Sequence, residues 1–197
     1  MARISFSLLL LLSVLCAAGM VESSSSTDFI KTSCGATRYP TVCVESLAVY
    51  ANAIQQSPRQ LAQTALKVSL DRAKSTKVFV SKMTRMHGLK GRQYQAVKDC
   101  VDTMGNSVDR LSRSIQELGQ ISRGSSQDFM WHMSNVQTWV SAALTDENTC
   151  MDGFAGRGMD GHVKMAIRGK IVNVAQVTSN ALALVNQYAS TTVTHKP

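Results

Sequence analysis

Four cysteines that follow an apolar leader constrain this chain more than any other feature: Cys34, Cys43, Cys100 and Cys150. Residues 1–19 read as a signal peptide. Arg3 precedes a leucine run from Leu8 to Leu12, Val14 to Ala18 extend it, and Ala17 and Gly19 are the small residues before a cut at Met20. Val21 and Ser23 offer a second cut slightly later. The apolar run falls short of the ~20 residues that a membrane span needs. Cys16 leaves with the leader, so an even set of cysteines enters an oxidising compartment, where disulfides form. Four cysteines allow three pairings, and all three remain open at this point. The spacings match no zinc knuckle and no histidine pair accompanies them, so neither a metal nor a cofactor is expected.

The 178 residues from Met20 onward suffice for one domain with a real core. They carry twenty basic and thirteen acidic residues, a charge of +7. A basic secreted chain is attracted to acidic surfaces, either an acidic polymer or an acidic partner face. The basic residues look scattered along the sequence and no aromatic-interleaved basic tract exists, which argues against nucleic acid. No later stretch could act as a membrane anchor.

Helical signals fill the remainder. Thr27 or Asp28 can cap a short helix that Tyr39-Pro40 ends, and a second short helix runs from about Thr41 to Ile54 with Val42, Leu47 and Val49 apolar. Together, residues 27–55 make a hairpin whose turn Cys34 and Cys43 flank. Ser57-Pro58 opens a long helix that continues to about Met86. His87 to Gly91 form a loop. Tyr94, Val97, Val101, Met104, Val108, Leu111, Ile115 and Leu118 then recur in steps of three and four, the seam of a packed helix that stops at Gly119. After a loop at 120–127, Phe129, Met133, Val136, Val140, Ala143 and Cys150 line a third long helix, capped by Asp128, whose apolar register also contains Glu147. Glycines 156, 158 and 161 form a connection. The last helix runs from about His162 to Ala189, with Val163, Ile167, Ile171, Val174, Val177, Ala181, Leu184 and Tyr188 on its apolar face. Short connections make neighbouring helices antiparallel. The expected fold is all-α: an up-down-up-down four-helix bundle with an N-terminal short helical hairpin, spanning residues 24–190, followed by a flexible tail at 191–197.

No catalytic constellation emerges. There is no nucleophile elbow, no H-E-x-x-H helix and no phosphate-cradling glycine loop. His87, His132, His162 and His195 are read as surface residues, each without a paired ligand at helical spacing. Asp146 and Glu147 are adjacent and therefore point to different helix faces. The methionines read as gap-filling core.

Several segments resemble hallmarks of the plant invertase and pectin methylesterase inhibitor family. They are Ile30-Lys-Thr-Ser-Cys34 with Tyr39-Pro40 and Cys43, Asp99-Cys100, the run Trp139-Val-Ser-Ala-Ala-Leu-Thr145 with Thr149-Cys150, and Ser179-Asn-Ala-Leu-Ala-Leu184. The resemblance covers essentially the whole chain after the leader. It implies the bundle with its hairpin, and the pairing of Cys34 with Cys43 and of Cys100 with Cys150. It further implies a non-enzymatic, secreted, apoplastic plant protein that blocks the substrate cleft of pectin methylesterase. The alternative target is acid invertase, and a third reading is a pectin-associated wall protein that inhibits nothing. Invertase inhibitors of this family commonly carry a Pro-Lys-Phe element in a late loop. The tripeptide does not occur here, so the esterase is the expected target. Asp102, Asn106, Asp146 and Thr149 are the expected enzyme contacts. The chain departs from the family pattern after Asp99-Cys100: Asp102 and Met104 stand where a glutamate and an aromatic are usual, and Gly105 follows. A mid-helix glycine costs about 1 kcal/mol relative to alanine, so this helix is expected to loosen there.

Overall fold

A computed structural model describes residues 25–86, 89, 91–121, 126–155 and 161–194. The leader, Cys16, the glycine connection at 156 and 158, His87 and His195 lie outside the described residues. Helix α1 covers 25–35. It is followed by α2 (Pro40–Leu47), a 3-10 turn (Ala48–Tyr50), α3 (Ala51–Ile54), α4 (Pro58–Met83), α5 (Arg92–Gln120), α6 (Ser126–Asp152) and α7 (His162–Thr194). Each long helix packs on its neighbours in a closed ring, α4 on α5, α5 on α6, α6 on α7 and α7 back on α4.

Local chemistry accounts for most of the boundaries. Ser57 sits in extended geometry and its Oγ accepts from the Gln60 N–H at 3.3 Å, while Pro58 occupies the first turn, where no N–H is needed. Pro40 plays the same part for α2, so it opens the second helix of the hairpin rather than merely ending the first. Thr27 and Asp28 lie inside α1, not at its cap, and Asp28 pairs with Lys31. The second short helix is broken by the 3-10 turn, and this rotates Val49 out to 80% exposure. α3 ends at Gln55 and Gln56, both with positive φ, and Gln56 Nε2 donates to Ser25 Oγ across the hairpin. α5 is continuous through Gly105. There the missing side chain makes room for Lys77 of α4, whose Nζ would lie 3.1 Å from a Cβ. α7 continues to Thr194, beyond the expected end at Ala189. Ser190 donates to the Asn186 carbonyl, and Thr191 and Thr192 both donate to that of Tyr188.

The core runs the length of the ring. Leu61, Leu66, Ala73 and Val80 come from α4, Met133, Val136, Val140 and Ala143 from α6, and Ile167, Ile171, Val174, Ala181 and Leu184 from α7. On α5 the buried stripe is Val97, Cys100, Met104, Ser107, Leu111, Ser114 and Leu118. Val101, Val108 and Ile115 flank it half-buried, and Tyr94 is 43% exposed. Cys100 therefore stands at the centre of the stripe. The methionines divide: Met104 and Met133 are buried, whereas Met86, Met130 and Met165 are exposed.

The hairpin docks through its backbone. The Asn180 side chain, buried on α7, accepts from the Tyr39 N–H at 3.0 Å and donates to the Tyr39 carbonyl at 2.8 Å. One amide thus satisfies both polar groups of the turn residue. Gln187 of α7 donates to the Ser33 carbonyl. The Cys34–Cys43 disulfide closes the hairpin, and Cys100–Cys150 joins α5 to α6 with Cα atoms 4.4 Å apart.

Glu147 is fully buried. Its Oε1 accepts from Ser107 of α5 at 2.8 Å and from Thr178 of α7 at 3.0 Å, so three long helices meet at one carboxyl. Its Oε2 has no hydrogen-bond partner among the described residues. Burial pushes the carboxyl up from an ordinary 4.5 to about 7; the two hydroxyls oppose this and the neighbouring Asp146 charge adds to it.

Two outcomes follow for stability. Peptide mapping without reduction recovers the pairs 34–43 and 100–150. Closing a fifty-residue loop restricts the unfolded chain by about 4 kcal/mol in the chain-entropy model, so the double variant Cys100→Ser/Cys150→Ser unfolds at lower urea, with its unfolding free energy reduced by up to that amount. The second outcome concerns pH. Below about pH 4.5 Glu147 holds its proton in both states and has no effect. As pH rises toward 7 the unfolded chain releases the proton while the folded one retains it, so stability falls, by about 3 kcal/mol in all. Glu147→Gln removes this term, and its urea midpoint is flatter than the parent's between pH 5 and 8. Parallel profiles would show that Glu147 ionises freely in the fold.

Candidate interaction face

α5 and α6 run antiparallel, and a polar ladder closes their outer edge. From the Cys100–Cys150 end, Arg110 Nε meets Asp146 Oδ2 at 2.9 Å. The Arg113 guanidinium lies 5.1 Å from the centre of the Trp139 ring. Glu117 Oε1 is 2.9 Å from His132 Nδ1 and accepts from Asn135 Nδ2 at 2.8 Å. Residue numbers rise on α5 as they fall on α6, so each rung fixes the same register as the disulfide.

The four residues expected to meet an enzyme all lie on these two helices, in different situations. Asp102 and Asn106 are exposed on α5, one turn apart. Asn106 lies one turn before Arg110 and is thus beside the Arg110–Asp146 rung. Thr149 is exposed, and its hydroxyl donates to the Thr145 carbonyl of its own helix at 2.8 Å, which leaves the oxygen free to accept. Asp146 is different: it is mostly covered and engaged with Arg110. Burial holds its carboxyl above the ordinary value, and the Arg110 charge offsets only part of that. Asp146 and Glu147 do point apart, one into the ladder and one into the core.

Arg110, Arg113, Glu117, Asn135 and Trp139 were not singled out in the sequence as members of this face. A signal for them existed. Residues 106, 110, 113 and 117, and residues 132, 135, 139, 146 and 149, fall in steps of three, four or seven beside each apolar seam. His132 is corrected by the same geometry. It is a half-buried partner of Glu117 and not a free surface residue. The Glu117 carboxyl is held below its ordinary value. Donation from Asn135 is the largest cause and His132 contributes further, against an opposing effect of burial.

The fold and sequence have known counterparts. The chain is 58% identical over 169 residues to pectinesterase inhibitor 9 of Arabidopsis thaliana, covering 84% of this chain and 83% of that one. It is 50% identical over 188 residues to the 21 kDa protein of Daucus carota, covering 95% and 97%. A crystal structure of a mutant form of a pectin methylesterase inhibitor from Arabidopsis superposes with a TM-score of 0.62 at 21% identity, over 78% of this chain and 92% of that one. At that identity the superposition establishes the bundle and its hairpin. The family model described as plant invertase/pectin methylesterase inhibitor matches residues 28–184. With a match that spans the hairpin and all four long helices, the chain belongs to the plant invertase/pectin methylesterase inhibitor family.

Proposed function

We propose that this protein is a non-enzymatic inhibitor of pectin methylesterase, secreted to the plant cell wall. The observation that carries the reading is the 58% identity to a pectinesterase inhibitor over 84% of the chain, joined to the absence of any Pro-Lys-Phe tripeptide. No helix among the described residues is long and apolar enough to cross a membrane. The mechanism is steric. A rigid bundle lays a side face over the substrate cleft and keeps the polymer out. Rigidity serves this task, because a surface already held in its binding geometry loses less entropy on association.

The α5/α6 edge is the proposed contact. Its ladder immobilises both helices, and Asp102, Asn106 and Thr149 project from it with hydrogen-bonding capacity to spare. Asp146 acts differently from the other three. It orients Arg110 and reaches the enzyme only at the rim of the contact.

Titrating released methanol against added protein gives a stoichiometric end point, whereas acid invertase at equal protein concentration retains full activity. Invertase inhibition with an unaffected esterase would reverse the assignment. Asp102→Ala, Asn106→Ala and Thr149→Ala each weaken esterase inhibition about fivefold, the scale of an ordinary interface side chain near 1 kcal/mol, with an unchanged urea midpoint. Asp146→Ala leaves the urea midpoint close to the parent's, because the cost of burying its carboxylate outweighs the attraction of Arg110. If all four variants inhibit like the parent, the contact lies on another face.

A further inference from the structure

The basic residues, which look scattered along the sequence, are segregated in space. α4 and α7 are neighbours in the ring, and together they carry nine lysines and arginines against one carboxylate, Asp71. α5 and α6, the opposite pair, carry four basic residues against eight carboxylates. The bundle therefore has a basic half and an acidic half. The proposed enzyme contact lies on the acidic one.

The basic half is also uncompensated. Lys67, Arg72, Lys74, Lys82, Arg168 and Lys170 are exposed. The first five form no ion pair among the described residues, and Lys170 rests over the Phe79 ring of α4 at 5.8 Å. Lys67, Lys74 and Lys82 recur at seven and eight residues, so they share one stripe with about 11 Å between charges. That interval is comparable to the Debye length of about 8–10 Å at physiological salt. Each charge thus acts nearly independently on a partner that is itself extended. A compact acidic protein would touch one or two of these charges, whereas a linear polyanion along the helix axis meets all three.

We infer that the α4/α7 side binds the polyuronate left by the esterase, a linear chain of galacturonate carboxylates. This choice of polyanion rests on the function proposed above. Each turnover adds water to a methyl ester and leaves one carboxylate, one methanol and one proton. The polymer therefore gains a charge wherever the enzyme has acted, and the unreacted ester offers none. The basic side gathers the inhibitor on stretches already processed, while the acidic side is repelled from the polymer and stays turned toward the enzyme. Inhibition would then concentrate behind an advancing esterase.

The test measures binding of the secreted protein to polygalacturonate and to the same polymer fully methyl-esterified, at low and at high salt. The parent binds polygalacturonate at least about tenfold tighter than the ester, and salt removes the difference. The variant Lys67→Gln/Arg72→Gln/Lys74→Gln/Lys82→Gln loses about tenfold. A control of equal net charge, Lys31→Gln/Arg38→Gln/Arg92→Gln/Lys98→Gln, stays within about twofold of the parent. Equal losses in the two variants, equal binding to both polymers, or no binding by the parent would overturn the inference. Methanol release from a short soluble ester is followed on the same preparations. A protein that inhibits without binding polygalacturonate sinks this inference alone. One that binds without inhibiting sinks the proposed function and leaves the basic surface in place.

Discussion

The pairing of α5 with α6 is the contact on which the rest of this molecule depends. A disulfide between two buried positions near one end of the pair, Cys100 and Cys150, sets how far one helix is displaced along the other. Once that register is set, Arg110 faces Asp146, Arg113 faces Trp139, and Glu117 faces His132 and Asn135. A slip of one turn would separate every rung together. The same register brings Ser107 beside Glu147, and this carries the constraint inward to α7 through Thr178.

Glu147 makes the core conditional on the medium. A protonated carboxyl that accepts from two hydroxyls sits in an apolar layer at modest cost, whereas an ionised one there is expensive. The fold is therefore best matched to mildly acidic surroundings, in keeping with the proposed site of action. Asp146, one residue away, is also held above its ordinary value by burial. Two adjacent carboxyls thus respond to pH in the same direction, one in the core and one at the edge of the bundle.

Much of this architecture was legible in the sequence. The four long helices, the hairpin and the placement of Glu147 in an apolar register all follow from periodicity, and the family resemblance supplied the cysteine pairing. Periodicity misjudged α5 in detail, because the centre of its buried stripe is filled by Cys100, Ser107 and Ser114 while the larger Val101, Val108 and Ile115 flank it. Serine reads as polar, yet a serine that donates to its own helix, as Ser114 does to Leu111, is small and satisfied. The end of α7 was missed for the same reason. A run of Ser and Thr reads as a frayed tail until its hydroxyls are seen bonding back to the preceding turn. The spatial division of charge could not be read along the chain, because it emerges only when α4 and α7 close the ring.

Both cross-links join partners inside a single structural unit: Cys34–Cys43 lies wholly within the hairpin and Cys100–Cys150 wholly within the bundle. No covalent bond among the described residues runs from one to the other apart from the chain itself. The hairpin is held instead by the Asn180 and Gln187 hydrogen bonds and by the packing of α2 against α4 and α7, where Val42, Cys43 and Leu47 share an apolar crevice with Ala65, Val68, Val177, Ala181 and Leu184. Oxidising conditions therefore harden each unit without fastening the seam between them. Were that seam to part, the hairpin would stay closed by its own disulfide, on the short tether that leads into α4.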